Sequence, residues 1–176
     1  MNTLASHLSP LLPKLWRFGL RLTRHHDDAE DLVQRTCVRA LERQHQWNAE
    51  SSPLSWLYSI EHSIWLNEMR SRRLRKVTSL SAADEDDEDR QLPDERAADP
   101  EAQMFFRQVV AAVDELPEAQ RVVMLLVAVE GLSYREAADA IGVPLGTVMS
   151  RLSRARVTIG QRFSDSPDLG KFHVAR

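Results

Sequence analysis

The sequence predicts an all-α protein: two small helical domains joined by a flexible acidic linker, the second containing a helix-turn-helix. Three observations lead there. The 176 residues hold only six glycines and few β-branched runs. Apolar residues return at helical spacing in segment after segment. A run of six acids, Asp84 to Asp89, splits those periodic stretches into two groups, and like-charge blocks of this kind repel, stay extended and resist packing. The length permits one domain of usual size or two small ones near the lower limit of independent stability. The expected boundaries are a first domain over 1–77, a linker over 78–103, a second domain over 104–163 and a tail over 164–176.

Within the first domain, "LSPLLPKLWRFGLRLTRHH" reads as a helix, with Leu12, Leu15, Trp16, Leu20 and Leu22 as core contributors. The next segment, "DDAEDLVQRTCVRALERQH", repeats Ala29, Leu32, Val33, Thr36, Cys37, Ala40 and Leu41 along one stripe. Its acids stand at the start and Arg35, Arg39 and Arg43 towards the end, the order that complements a helix dipole. "QWNAESS" interrupts the pattern, and Ser52 with Pro53 restarts it as N-cap and first helical residue. The third helix buries Leu57, Ile60 and Ile64 and ends in a basic cluster from Arg70 to Lys76.

The second domain starts at Asp99-Pro100, another such pair, and its helices are expected over 100–115, 117–130, 133–141 and 144–162. Ser133 and Glu136 fit a capping box. Gly131 and Gly142 sit where helices end in left-handed caps. A short helix, a tight turn at Gly142 and a longer basic helix opened by Pro144 make the helix-turn-helix layout.

The bulk numbers exclude several classes. No stretch of about eighteen apolar residues exists, nor an apolar segment with a small-residue cleavage site in residues 1–30, so a soluble cytoplasmic protein without membrane insertion is expected. One cysteine, Cys37, excludes an internal disulfide framework. The net charge of −3 is unevenly held: 1–77 carries +4, 78–104 carries −8 and 105–176 carries +1. The acidity therefore belongs to one short segment and does not argue against a nucleic-acid partner. No cofactor is implied. "HHDD" at 25–28 offers two histidines and two carboxylates, but adjacent residues diverge around a helix start and share one metal poorly. No nucleophile elbow, P-loop or HExxH is present, so neither a catalytic nor a metal site is expected.

The stretch "GVPLGTVMSRLSRARVTIGQR", residues 142–162, carries four arginines and no acid. Solvated helices ordinarily interleave Glu with Lys or Arg at i,i+4. Here Val148, Leu152, Ala155 and Ile159 form a narrow apolar seam, while Thr147, Ser150, Arg151, Arg154 and Thr158 line an adjoining face that is polar or basic throughout. In a helix-turn-helix the second helix enters the major groove and its N-terminal residues meet base edges. Arginine suits guanine, and hydroxyls serve phosphates or bases. The competing reading is an ordinary basic surface helix.

At this point the chain resembles a known family. "LPEAQRVVMLLVAVEGLSYREAADAIGVPLGTVMSRLSRAR" (116–156) is similar to the promoter-binding C-terminal domain of bacterial sigma factors of the extracytoplasmic-function (ECF) group. "DAEDLVQRTCVRALE" (28–42) and "PLSWLYSIEHSIWLNEMRSRR" (53–73) are similar to their N-terminal domain. The resemblance spans nearly all of 10–163, in the family's order. It implies a factor that binds core RNA polymerase and directs initiation by recognising −10 and −35 promoter elements, with an anti-sigma partner that is often anchored in the membrane. On the matching motifs, Asp28, Asp31, Gln34, Arg35 and Arg39 are implied as the polymerase contact. Trp47, Asn48, Tyr58 and Trp65 are implied at the −10 element, where a base leaving the duplex needs an aromatic or apolar pocket. Thr147, Met149, Ser150, Arg151 and Arg154 are implied at the −35 element. Trp56 matches a family tryptophan of the core.

Two departures stand out. After Ile60 the family usually reads Ala-Arg-Asn, whereas this chain has Glu61-His62-Ser63, which is expected to remove a basic contact and add an acid near the melted strand. Met149 stands where the family often has arginine; it offers no bidentate hydrogen bond but can touch a thymine methyl. The alternative is a stand-alone helix-turn-helix repressor or a response-type regulator. A repressor leaves the first domain unexplained. Response regulators share the Thr147-Val148 pair but place a histidine where Arg151 stands and need a phosphoacceptor domain.

Overall fold

The computed structural model describes residues 4–48, 52–78 and 100–164. Among these residues there are seven α-helices and no strand: α1 Leu4–Thr23, α2 His26–Glu42, α3 Pro53–Thr78, α4 Pro100–Asp114, α5 Glu118–Met124, α6 Tyr134–Ile141 and α7 Leu145–Ser164. A 3₁₀ turn, Gln44–Gln46, follows α2, and α5 widens into a π turn, Leu125–Val129. The acidic run Asp84–Asp89, Asp99 and the tail lie outside the described residues.

In the first module α1 carries Pro10 and Pro13 inside the helix, both at exposed positions. Its core seam is Leu4, Leu8, Leu15, Phe18 and Leu22. Leu12, expected in that seam, is 40% exposed. A helix turns about 100° per residue, which swings Leu12 away from the line joining Leu8, Leu15 and Leu22; Trp16 and Leu20 are half-buried at its rim. In α2 the buried stripe is Ala29, Leu32, Val33, Thr36 and Ala40. The Thr36 hydroxyl donates to the Leu32 carbonyl at 2.8 Å, so its burial leaves no polar group unpaired. Cys37 is half-buried and Leu41 exposed, since the last turn of α2 leads into the exposed 3₁₀ turn.

The corner between α1 and α2 is made by Arg24 at φ 64°, a left-handed cap that glycine usually supplies; its N–H donates to the Leu20 carbonyl. Ahead of it, Gly19 lets α1 and α3 meet: a Cβ there would stand 2.8 Å from Glu61 Oε1. The start of α3 follows the expected cap, with Ser55 N–H donating to Ser52 Oγ.

The second module keeps the expected local signals. The Ser133 hydroxyl accepts from the Glu136 N–H while the Glu136 carboxylate accepts from the Ser133 N–H, completing the capping box. Gly131 and Gly142 adopt φ 74° and 65°. Helix α7 begins one residue after Pro144, whose carbonyl accepts from Thr147 and Val148. The helix expected over 117–130 instead changes pitch at Leu125, and Glu130 N–H bonds back to the Leu125 carbonyl.

The two modules are docked. Helix α3 packs on α1 and α2 with one side and on α6 with another, so Leu57, Tyr58, Ile60, Glu61, His62, Ile64 and Trp65 are all buried. Ser55 Oγ donates to the Glu136 carbonyl at 3.3 Å. The Arg24 guanidinium donates to the Asp114 carbonyl, and Arg73 pairs with Glu118 at 3.4 Å.

Candidate nucleic-acid interface

Helix α7 owes its position to its seam: Val148, Leu152 and Ala155 are 0–1% exposed and Ile159 is half-buried. Fixing that side against α5 and α6 turns the adjoining face outward. There Ser150 and Arg154 are exposed, Met149 is 53% exposed, and Thr147 and Arg151 are half-buried. Ser150 donates to the Thr147 carbonyl at 3.0 Å and Thr158 to the Arg154 carbonyl at 3.1 Å, so both hydroxyls keep oxygen lone pairs free to accept. Among the described residues neither Arg151 nor Arg154 has an acidic side chain within salt-bridge distance, whereas Arg162 at the far end pairs with Glu115. An open groove of about 380 Å³ runs beside this face, lined by Tyr134, Met149, Leu152, Ser153, Arg156 and Val157. Arg156 is its one charged residue, which gives it no acid–base pair.

On the first module, α2 presents Asp28, Asp31, Gln34, Arg35 and Arg39. Arg35 bridges Asp31 at 3.1 Å and Glu68 of α3 at 2.7 Å, and Arg72 bridges Glu68 at 3.1 Å and Asp28 at 3.0 Å. Hydrogen bonds from Arg35 and then Arg72 hold the Glu68 carboxyl below its usual range. Gln34 is exposed and donates to Glu30 at 3.4 Å, while Arg39 is half-buried. The lattice joins α2 to α3; as a set of partly exposed pairs it contributes little stability.

The aromatic residues divide by exposure. Trp47 is half-buried, edge-on to His7 at 5.5 Å, and Asn48 beside it is exposed; residues 49–51 lie outside the described residues. Trp56 is half-buried. Tyr58 is 0% and Trp65 6% exposed, so neither offers a ring face to solvent in this arrangement. Tyr58 packs 4.8 Å from Phe18 and donates its hydroxyl to Glu130 Oε2 at 2.5 Å. Burial, and then that bond, push its pKa far up.

The tripeptide 61–63 overturns one expectation. Glu61 adds no acid to an exposed face: it is 0% exposed and neither carboxyl oxygen has a hydrogen-bond partner. Burial, reinforced by Glu130, drives its pKa well up, towards the neutral acid. His62 is 8% exposed, and its pKa is pushed down to about 4 by burial and then by Arg151. The Arg151 charge of α7 is therefore felt at His62 of α3 across the junction. Sequence reasoning missed this cluster of Tyr58, Glu61, His62 and Glu130; the one signal was that both unusual residues after Ile60 are titratable. Among the described residues no group of three or more His, Cys, Asp or Glu is placed to hold a metal ion, and no helix is long and apolar enough to cross a membrane.

Residues 8–75 match sigma-70 region 2, and residues 106–159 match sigma-70, region 4. The ECF RNA polymerase sigma factor EcfG of Rhodopseudomonas palustris is 32% identical over 157 residues, covering 88% of this chain and 82% of that protein. The chain belongs to the ECF sigma-factor family. The ECF sigma factor SigE of Mycolicibacterium smegmatis is likewise 32% identical over 149 residues, covering 81% of this chain, which spans about half (54%) of that relative's length. Among solved structures, the sigma factor RpoE of Bartonella quintana in complex with the anti-sigma factor NepR is similar at TM-score 0.74 and 28% identity, over 92% of this chain and 97% of that one.

Proposed function

We propose that this ECF sigma factor binds core RNA polymerase and brings it to a dedicated promoter set, reading the −35 element with α7 and the −10 element with the first module. The observation that carries the reading is an acid-free outer face on the second helix of a helix-turn-helix, in a chain that pairs region 4 with region 2. Thr147, Met149, Ser150, Arg151 and Arg154 meet the major groove. Arg154 suits a guanine edge or a phosphate, the hydroxyls suit phosphates, and Met149 suits a thymine methyl. Trp47 and Asn48 are the accessible −10 readers; Tyr58 and Trp65 join them only when α3 is uncovered. Residues 1–77 form the polymerase and −10 domain, 78–103 the acidic linker and 104–163 the −35 domain.

Asp28, Asp31, Gln34, Arg35 and Arg39 are the polymerase contact. Asp28, Asp31 and Arg35 already stand in a lattice with Glu68 and Arg72, so little side-chain freedom is lost there on docking. The chain performs no chemistry of its own: binding energy from the −35 contacts and the captured −10 bases opens the duplex, and polymerase supplies catalysis. It acts in the cytoplasm, and an anti-sigma protein, as in the Bartonella complex, restrains it until a signal arrives.

Gel filtration of the full chain with core RNA polymerase tests the reading. Co-elution at one-to-one stoichiometry supports it. Separate elution, together with binding to paired half-sites as a dimer, would instead identify a repressor.

A further inference from the structure

A pair of rings at the edge of the first module carries polar atoms that the fold does not satisfy. His7, near the start of α1, stands edge-on to Trp47, with ring centroids 5.5 Å apart and planes at 69°. Both residues are half-buried. His7 Nε2 and Trp47 Nε1 are nevertheless closed off from solvent, and neither has a hydrogen-bond partner. An indole N–H only donates, whereas an imidazole nitrogen donates or accepts according to its tautomer. A buried tryptophan N–H ordinarily finds a partner, and leaving one unmade is destabilising. Nothing inside the fold offsets two such orphans on neighbouring rings.

Packing holds both rings in place. Leu4 and Leu8, on either side of His7, are 2% and 8% exposed, which anchors this part of α1 in the core. The 3₁₀ turn sets Trp47: its backbone N–H donates to the Gln44 carbonyl at 3.2 Å, and its side chain packs against the core. Polar groups set on rigid elements keep their geometry better than groups carried by a loop. The surroundings suit a nucleic-acid strand. No acid occurs from Arg43 to Ala49, Arg43 and His45 are exposed on the turn, and Asn48 is exposed beside Trp47. Tyr58 and Trp65 are buried, so Trp47 is the accessible aromatic of the −10 set.

We infer that His7 is a specificity-determining residue of the −10 site, reading the edge of the nucleobase that stacks on Trp47. An unstacked base supplies what the pair lacks: a flat face for the indole and an edge of donors and acceptors for His7 Nε2. A sugar or phosphate oxygen of the same nucleotide accepts from Trp47 Nε1. The inference rests on the sigma-factor reading. His7 lies just ahead of the residues that match region 2, 8–75, so that match does not itself assign it.

Core RNA polymerase loaded with the full chain, or with a His7 variant, transcribes total genomic DNA, and base preferences are read from the sequenced transcript 5′ ends. His7→Phe keeps a flat ring without a nitrogen, and His7→Gln keeps an amide nitrogen near the place of Nε2 without a ring. Circular dichroism melts check that each is folded, and His7→Leu is a second nitrogen-free variant should Phe not be accommodated. The nitrogen-free variant is expected to lower base preference at one position of the −10 element by about two- to ten-fold. The other positions and the −35 element keep theirs, and His7→Gln retains a preference at the affected position. Wild-type preference at every position in the nitrogen-free variant overturns the inference and leaves His7 a packing partner of Trp47. An equal weakening across the whole −10 element overturns it too, since lost packing would act on all positions alike. A wild type that yields no start sites beyond those of core alone refutes the sigma-factor reading, and the inference with it.

Discussion

Replacing Glu61 by Gln converts the buried carboxyl into a group that cannot ionise and is close in size. The structure fixes the sign of the effect. Glu61 lies against Gly19, and the charged or titratable groups around it are Glu130 from the second module, the Tyr58 hydroxyl on its own helix and the Cys37 thiol of α2, with Arg17 of α1 acting across Tyr58. None of them pairs with its oxygens, so its pKa lies well above the ordinary carboxylate value. A raised folded-state pKa contributes stability that is complete below the unfolded-state value and is lost as pH rises towards the folded one.

One proton changes the slope by about 1.4 kcal/mol per pH unit, so between pH 5.5 and 7.5 the wild type loses up to about 3 kcal/mol that Glu61→Gln does not. For a chain of this size each kcal/mol moves Tm by about 2–4 °C, giving a divergence of up to about 6–12 °C. His62 acts in the opposite sense: with its pKa pushed from 6.5 to about 4, its contribution is present above pH 6.5 and is lost as pH falls towards 4. It is common to both proteins and drops out of their difference. Calorimetric melts of both proteins at pH 5.5, 6.5 and 7.5 read the result directly. A Tm advantage of Glu61→Gln that grows with pH is expected. An advantage that is flat, or that shrinks as pH rises, would refute the buried neutral acid.

Leu32→Ala, at a position 3% exposed in α2, is expected to destabilise the fold by about 2–5 kcal/mol in chemical denaturation. Asp31→Lys, at a neighbouring exposed position, is expected to leave folding intact and weaken capture by core polymerase; equal loss of folding in both would make Asp31 structural. Arg154→Ala is expected to weaken binding of a −35 duplex by about 1–3 kcal/mol while core binding survives, as read by fluorescence anisotropy; unchanged affinity would remove Arg154 from the groove. Replacing Asp84–Asp89 with Ser and Gly of equal length is expected to tighten non-specific DNA binding by the free chain at low salt. The difference should fade as added salt shortens screening to about 8 Å, and identical low-salt affinities would leave the segment a tether alone.

What was legible in the sequence was what is decided locally. The capping box at Ser133, the left-handed glycines 131 and 142 and the seam of α7 each depend on residues within one or two turns, and each stands where the spacing put it. Leu12 and Leu41 were less legible, because whether an apolar residue on the edge of a stripe is covered depends on how far its partner helix extends. The burial of α3 from Leu57 to Trp65 on more than one side was not legible at all. Part of its cover arrives from residues more than seventy positions away, and a helix that buries Glu61 and His62 carries no simple amphipathic pattern. For the same reason the polar or basic character of the α7 face could be read in advance, while the effect of the Arg151 charge on His62 could not. The π turn that aims Glu130 leaves no periodic trace, since one extra residue in one turn lies within the scatter of apolar spacing.

Promoter-directed initiation is tested most directly by transcription from total genomic DNA of the source organism, using core RNA polymerase supplied with this protein and no other factor, with sequencing of transcript 5′ ends. The account requires discrete start sites that are absent with core alone, sharing two sequence elements at fixed upstream spacing, and their loss with Arg151→Ala and Arg154→Ala combined. Start sites no different from those of core alone, or discrete starts that survive loss of both arginines, would contradict it.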